Sequence, residues 1–329
     1  MNSLYHKDIL TLFDLTSVEL DTILTHAARF KAAFEAHQVK PHLDGLNVAI
    51  IMQKPSLRTR VSFEVACLEL GARPLVLSGD DNAFSRGESE KDTAAVLSRY
   101  LDAVVVRTSS DEMLATFARH ADIPVINALT DGHHPCQGLA DLLTIQEHFA
   151  AHNGMSSATP FVTLEGFTFA YVGDGSNNMA HTYLAAAALA GMHLRIATPA
   201  SLMPDSAIRA QADKLAQTTG ATLTVTDNPH EAVKDAQVVA TDTWASMGQE
   251  TERRTRLTLL ESYQVNAALM AHAAPEAIFL HCLPAHRGEE VTDDVIDAPY
   301  SLVVEQAANR LHAQAALLTL LLDKEGKSQ

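Results

Sequence analysis

Short apolar runs alternate with longer amphipathic segments along most of this chain. Within the longer segments apolar residues recur at helical spacing, as at Val61, Val65 and Leu68, whereas the short runs have the length of buried strands. The runs lie at residues 47–52, 74–77, 102–108, 123–127, 167–175, 194–197, 223–226, 238–241, 278–283 and 302–304. Such alternation is typical of parallel sheets covered by helices. The pattern therefore predicts an α/β protein with doubly wound parallel sheets, and two further helices over residues 8–39.

A change in composition divides this pattern into two halves. A chain of 329 residues exceeds the size at which a single hydrophobic core keeps growing. Residues 150–157 are mostly small and polar, so we place the domain boundary there. The first domain then covers residues 1–150 and the second covers 151–307. The helix expected from residue 308 to the end has Arg310 on its first turn, and we expect it to return to the first domain.

The bulk composition restricts the class of partner. With 47% hydrophobic and 19% charged residues, the chain has the composition of an ordinary globular protein. A formal charge of −16 disfavours nucleic acid and anionic membrane as partners, so an anionic substrate has to be bound by a local cluster of arginines. The first residues lack a signal pattern, and three widely spaced cysteines suit neither a disulfide framework nor a metal site. We expect a cytoplasmic protein with reduced thiols.

A basic loop with hydroxyl groups follows the first predicted strand. It contains Ser56, Arg58, Thr59 and Arg60, directly before a helical segment. Unpaired backbone N–H groups at a helix N-terminus attract anions, and guanidinium groups bind phosphate with charge-assisted hydrogen bonds. The loop therefore indicates a phosphate site. The alternative is a capped surface helix with solvated arginines.

Two more strand ends in the first half carry polar side chains. Arg107 closes the run at 102–108, and ligands of parallel α/β sheets lie at the carboxyl ends of strands. Pro135 suits the first turn of a helix, which places His134 and Gln137 at its N-terminus. A neutral imidazole can polarise a carbonyl oxygen, and a carboxamide can orient an amide. A solvated arginine and an ordinary surface or core histidine remain the alternatives.

Three loops that follow predicted strands in the second half also carry polar side chains. Residues 173–178 are similar to a dinucleotide-binding loop but lack its third glycine, which disfavours a nucleotide cofactor. Residues 242–248 offer a carboxylate, a hydroxyl and backbone groups that suit a cationic amino group. Residues 281–288 end a strand with a thiol at Cys282.

Together these motifs resemble the aspartate/ornithine carbamoyltransferase family, on its ornithine-using branch, over essentially the whole chain. Residues 56–60 are similar to the family's Ser-Thr-Arg-Thr-Arg motif, 134–137 to its carbamoyl site and 281–284 to its strand-end loop. Leu57 stands where the family most often has Thr. Ala83 stands where ornithine enzymes usually have Gln, on a loop that reaches a neighbouring subunit's site and here also contains Arg86.

The resemblance implies transfer of the carbamoyl group of carbamoyl phosphate to the δ-amine of L-ornithine, without a metal or organic cofactor. It implies a homotrimer or a multiple of trimers. The catalytic residues that it implies are Arg107, His134, Cys282 and Arg310. The implied carbamoyl phosphate contacts are Ser56, Leu57, Arg58, Thr59, Arg107, His134, Gln137, Cys282, Leu283 and Arg310. The implied ornithine contacts are Asn178, Asp242, Ser246 and Met247.

Two alternatives to this function remain open at the level of sequence. One is a sister carbamoyltransferase that acts on putrescine or N-acetylornithine, and the other is a non-catalytic paralogue that keeps the fold. The carboxylate of Asp242 favours free ornithine because it matches an α-ammonium group. The presence of Arg58, Arg107, His134, Cys282 and Arg310 argues against a non-catalytic role.

Overall fold

The computed structural model describes residues 3–78, 87–152, 154, 162–244 and 253–323. The chain divides into two compact units, the first formed by Met1–Val162 with Ala308–Gln329 and the second by Thr163–Ala307. The boundary thus lies after residue 162 rather than after residue 150. Gln146 explains part of the difference, since its Nε2 donates to the backbone oxygen of Val162 at 3.3 Å and holds that residue in the first unit.

The first unit is built on a four-stranded sheet in which every pairing is parallel. Its strands are β1 (Asn47–Met52), β2 (Arg73–Ser78), β3 (Ala103–Arg107) and β4 (Val125–Leu129), in the order β2-β1-β3-β4. The interior strands β1 and β3 are almost entirely buried, as expected for apolar runs covered on both faces. The order reverses between β1 and β3, and ligands of such sheets bind beyond the carboxyl ends at that point.

Among the described residues of the first unit, five α-helices begin, and the first four of them have a serine or threonine as the N-cap. They are α1 (Ser17–Glu35), α2 (Leu57–Leu70), α3 (Glu90–Leu97), α4 (Asp111–His120) and α5 (Pro135–His152). Thr16 and Glu19 form a capping box at the start of α1, and Gly71 ends α2 in the left-handed conformation with φ of 89°. In the region of the two predicted N-terminal helices the structure has one short 3-10 turn, Leu12–Asp14, followed by α1.

The second unit repeats the plan with five parallel strands. These are β5 (Thr168–Val172), β6 (His193–Ala197), β7 (Thr222–Thr226), β8 (Val238–Thr241) and β9 (Ile278–His281), in the order β7-β6-β5-β8-β9. The order reverses between β5 and β8, so the loops after these two strands are where a ligand is expected. The helices that begin in this unit are α6 (Asn178–Ala190), α7 (Ser206–Thr219), α8 (Pro229–Val233), α9 (Arg253–Leu260), α10 (Ala267–Met270), α11 (Asp293–Ile296) and α12 (Val303–Leu322).

The prediction of a strand at residues 302–304 is wrong. Leu302 still donates its backbone N–H to Phe279, but α12 begins at Val303, and Gln306 donates back to Leu302. In the structure Val303 is buried and Val304 is exposed. An apolar run of three residues cannot distinguish a strand from the start of a helix, because such residues occur in both. Arg310 consequently lies inside α12 rather than on the first turn of a helix.

The division between the units falls within α12, since residues from Ala308 onward belong to the first unit. Within the part of the chain that the structure describes, no helix combines the length and the apolarity needed to cross a bilayer.

Candidate active site

The loop after β1 ends at Ser56, which caps α2. Its hydroxyl accepts the backbone N–H of Thr59 at 3.3 Å and donates to Thr59 Oγ1 at 3.1 Å. Leu57, the first residue of α2, is 78% exposed, so the helix N-terminus is open beside it. The first N–H groups of an α-helix lack intrahelical acceptors and carry partial positive charge. This end of α2 is therefore suited to an anion.

Two arginines from distant parts of the chain meet at Thr59. Arg107 Nη1, at the end of β3, lies 3.4 Å from Thr59 Oγ1, and Arg310 Nη2, on α12, lies 3.0 Å from the same oxygen. Thr59 is fully buried and Arg310 is nearly so. Arg107 is half-buried, so one buried and one half-buried cation lie on a single neutral hydroxyl. This arrangement favours a nearby anion, since a charge removed from water needs compensation.

His134 lies directly before α5 and is buried. Burial lowers its pKa well below the usual value, and the nearby charges of Arg310, Arg107 and Arg58 lower it further. The imidazole is therefore neutral near pH 7 and can donate one hydrogen bond without adding another charge. A neutral donor among three cations suits the polarisation of a carbonyl oxygen attached to an anionic group.

The orientation of the Gln137 amide is fixed by Asp141, a residue that the sequence analysis did not single out. Gln137 Nε2 donates to Asp141 Oδ1 at 2.8 Å, and both side chains are fully buried on α5. Gln137 Oε1 has no hydrogen-bond partner among the described residues. The amide thus presents an acceptor, and a carbamoyl NH₂ is a matching donor. An acidic residue one turn after Gln137, within the otherwise apolar run 139–143, was the available signal.

In the second unit the loops after β5 and β8 approach each other closely. Gly173 follows β5 with φ of 139°. A Cβ at this position would come within 3.3 Å of Thr241 Oγ1 and 3.4 Å of Trp244 Nε1. Only glycine fits there without displacing these neighbours. The loop then turns into α6, with Asn177 as its cap and Asn178 as its first residue.

Asp242 follows β8 and is buried at the meeting point of these loops. Its Oδ1 accepts the thiol hydrogen of Cys282 at 3.0 Å and the backbone N–H of Thr243 at 2.8 Å. Burial raises the pKa of this carboxyl, partly offset by His281 and by the two hydrogen bonds. A cationic amino group placed beside Asp242 would relieve the cost of burying its charge.

Cys282 and Leu283 are held in place by a buried pair that sequence reasoning missed. Because β9 ends at His281, neither residue belongs to the strand predicted over 278–283. Leu283 has a positive φ of 55°, and its N–H donates to His281 Nδ1 at 2.9 Å. The other ring nitrogen of His281 lies 3.2 Å from Glu290 Oε1, and both side chains are fully buried. The turn therefore directs the Cys282 thiol towards Asp242.

The structure sorts the predicted site residues into one group in each unit. In the first unit they are Ser56, Leu57, Arg58, Thr59, Arg107, His134, Gln137 and Arg310. In the second unit they are Asn178, Asp242, Cys282 and Leu283. Ala83, Arg86, Ser246 and Met247 lie outside the described residues.

The fold and these two groups define a protein of two α/β units, each built on a parallel sheet. The first unit is suited to a phosphorylated anion and the second to a cationic amine. Residues 7–147 match the model of the aspartate/ornithine carbamoyltransferase carbamoyl-P binding domain, and residues 165–321 match that of the Asp/Orn binding domain. The chain belongs to the aspartate/ornithine carbamoyltransferase family.

Relatives and solved structures named for ornithine carbamoyltransferase extend over nearly the whole chain. A protein of that name from Anoxybacillus flavithermus is 48% identical over 316 residues, which is 96% of each chain. One from Bacillus subtilis is 47% identical over 328 residues, covering 99% of this chain and 97% of the relative. The structure of ornithine carbamoyltransferase from Pyrococcus furiosus is 46% identical, with a TM-score of 0.89 over 98% of this chain and 99% of that one.

Proposed function

We propose that this protein is an ornithine carbamoyltransferase, which converts carbamoyl phosphate and L-ornithine into L-citrulline and phosphate. The observation that carries the proposal is the convergence of Arg107 and Arg310 on Thr59, with a neutral, buried His134 within their field. The names of the full-length relatives support the same reaction.

The side chains of the first unit provide what carbamoyl phosphate requires. Arg58, Arg107, Arg310 and the N-terminus of α2 would bind the phosphate, whose charge grows as it departs. His134 would donate to the carbamoyl oxygen, and Gln137 Oε1 would accept from the carbamoyl nitrogen. The uncharged δ-amine attacks the carbamoyl carbon, and the bond from that carbon to the phosphate oxygen breaks. The proton that the amine nitrogen loses ends on the departing phosphate, which leaves as hydrogen phosphate. Orientation and charge stabilisation therefore supply the catalysis.

The side chains of the second unit suit an amino acid as acceptor. Asp242 would pair with the α-ammonium group of ornithine, and Asn178 at the start of α6 would donate to its α-carboxylate. Cys282 lies against Asp242 and would adjoin the same substrate. Contacts from Ser246 and Met247 remain predictions, as do contacts of Cys282 and Leu283 with carbamoyl phosphate.

One assay separates this function from its alternatives. Purified protein with carbamoyl phosphate is given L-ornithine, putrescine or N-acetylornithine, and the carbamoylated product is quantified. Citrulline formation with kcat/KM at least about a hundredfold above that for the other amines is expected, because each unpaired buried polar group costs about 1–3 kcal/mol. Preference for another amine would identify a sister enzyme, and no product with any amine would favour a non-catalytic paralogue.

We also propose a homotrimer, or a multiple of trimers, in the cytoplasm. Leu57, Val61 and Leu68 lie on one face of α2 with exposures of 78%, 46% and 64%, and an exposed apolar face supports association. In this proposal the loop with Ala83 and Arg86 contributes to a neighbouring subunit's site. Inactive Arg86→Ala and Arg107→Ala proteins should then regain partial activity on mixing. No recovery after proven subunit exchange would show that each chain completes its own site.

A further inference from the structure

Tyr171 is a buried tyrosine on β5 whose hydroxyl uses both its donor and its acceptor capacity. It accepts a hydrogen bond from Asn177 Nδ2 at 2.8 Å and donates to the backbone oxygen of Asp174 at 3.2 Å. The side chain is fully buried. Burial raises its pKa well above the usual value, and the nearby carboxylates of Asp242 and Asp174 raise it further. The phenol therefore stays protonated beside the proposed amine site.

Asn177 connects this hydroxyl to the residues proposed to bind the amine. Its Oδ1 accepts the backbone N–H of Ala180 at 2.8 Å and so caps α6. Because Oδ1 accepts the capping hydrogen bond, the orientation of the Asn177 amide is restricted, and Nδ2 points towards the Tyr171 hydroxyl oxygen. The same Nδ2 lies 3.5 Å from Asp242 Oδ2. One amide thus joins the tyrosine, the start of α6 and the buried carboxylate.

We propose that Tyr171 is a positioning residue for the amine substrate, because its hydroxyl aligns Asn177 with Asp242 and fixes the first turn of α6 that carries Asn178. This inference rests on the proposed function, in which Asp242 and Asn178 bind the two α-substituents of ornithine. Tyr171 itself does not touch the substrate. It determines how precisely the α-ammonium and α-carboxylate partners are held.

The alternative role for Tyr171 is packing alone. Its ring lies 5.7 Å from that of Tyr183, centroid to centroid, inside the core of the unit. The Tyr171→Phe variant keeps the ring and this contact, and removes only the hydroxyl. It therefore separates positioning from packing.

The test compares Tyr171→Phe with Tyr263→Phe. Tyr263 is a matched control because it is also buried in the second unit, and its hydroxyl donates to a backbone oxygen, that of Asp227, at 2.9 Å. Tyr171→Phe should raise KM for ornithine about fivefold, the effect of one neutral hydrogen bond, with KM for carbamoyl phosphate unchanged. Its preference for ornithine over putrescine should fall, because putrescine lacks the α-carboxylate. Tyr263→Phe should leave all three quantities within about twofold.

A purely structural role would lower the melting temperature and kcat in Tyr171→Phe but leave KM and the amine preference as in the wild type, and that result would overturn the inference. If Tyr171→Phe does not fold, Asn177→Ser replaces it, since serine can still cap α6 but lacks Nδ2. The same rise in ornithine KM is expected, and an unchanged KM would overturn the inference. Calorimetric binding of ornithine in the presence of phosphate gives the comparison without turnover. A wild-type protein that binds ornithine but makes no citrulline would contradict the proposed function and leave this comparison valid.

Discussion

Gln137 Nε2 donates to Asp141 Oδ1 at 2.8 Å inside α5, where water reaches neither side chain. Because this hydrogen bond uses Nε2, the atom of the Gln137 amide that is available to a carbamoyl group is Oε1. A carboxylate cannot donate, so Gln137 can bond to it only through Nε2. The ionised partner makes the bond stronger than one between neutral groups.

Asp141→Asn should therefore weaken binding of carbamoyl phosphate. The asparagine keeps the shape but loses the charge and can also donate, so the Gln137 amide is no longer held in one orientation. We expect KM for carbamoyl phosphate to rise about tenfold, as for the loss of about 1.4 kcal/mol from a charge-assisted hydrogen bond. Asp213→Asn is the control, because Asp213 forms a surface ion pair with Arg209 on α7. Equal kinetics in the two variants would contradict an orienting role for Asp141.

Arg58→Ala should abolish most of the activity and leave the fold intact. A preorganised contact to a charge that develops in the transition state contributes about 2–4 kcal/mol, so kcat/KM should fall by at least about a hundredfold. Arg60→Ala is the matched control, since Arg60 points to Glu64 on the exposed side of α2, with its Nε 3.3 Å from Oε2. The measurement is saturation with carbamoyl phosphate. Unchanged saturation in Arg58→Ala would exclude this loop as the phosphate site.

The depressed pKa of His134 predicts a specific dependence of stability on pH. The folded protein keeps this histidine neutral, whereas the unfolded chain protonates it near its ordinary value of about 6.5. As the pH falls below that value the unfolded state binds more protons, so the free energy of unfolding decreases. His134→Asn should lose less stability than the wild type between pH 7.5 and pH 5.5, measured by thermal denaturation. The other histidines are common to both proteins, so an identical loss would show that His134 is not held neutral.

Asp242→Asn should remove the use of ornithine while binding of carbamoyl phosphate persists. The asparagine keeps the size of the side chain but cannot neutralise an α-ammonium group. We expect kcat/KM for ornithine to fall by about a hundredfold or more, the cost of one lost ion pair in a buried site. Binding of carbamoyl phosphate, measured directly by calorimetry, is the internal control. An unchanged KM for ornithine would mean that the amine binds elsewhere.

The elements nearest to the chemistry were largely predictable from the sequence. The strand at Val238–Thr241 has the predicted bounds, and α2 begins at the basic loop as expected, with Ser56 as its cap. Both depend on interactions between residues close in the chain, namely a run of β-branched residues and a hydroxyl three residues before a helical N–H. One error occurred where an apolar run is compatible with either a strand or a helix. Residues 302–304 could continue a strand or begin a helix, and in the structure Val303 begins α12.

The sequence by itself determined the two-sheet plan, the basic loop at α2 and the kinds of side chain that end the strands, since periodicity and caps are local. Only the tertiary structure decided which of these side chains meet. Arg107 and Arg310 reach Thr59 from 48 and 251 residues away, and no local pattern encodes that contact. The roles proposed for Asp141 and Tyr171 could not be predicted from the sequence either. The role of a buried polar residue depends on its hydrogen-bond partner, which is known only from the structure. Burial and neighbouring charge, which fix the neutral state of His134 and the raised pKa of Asp242, arise only when distant segments pack together.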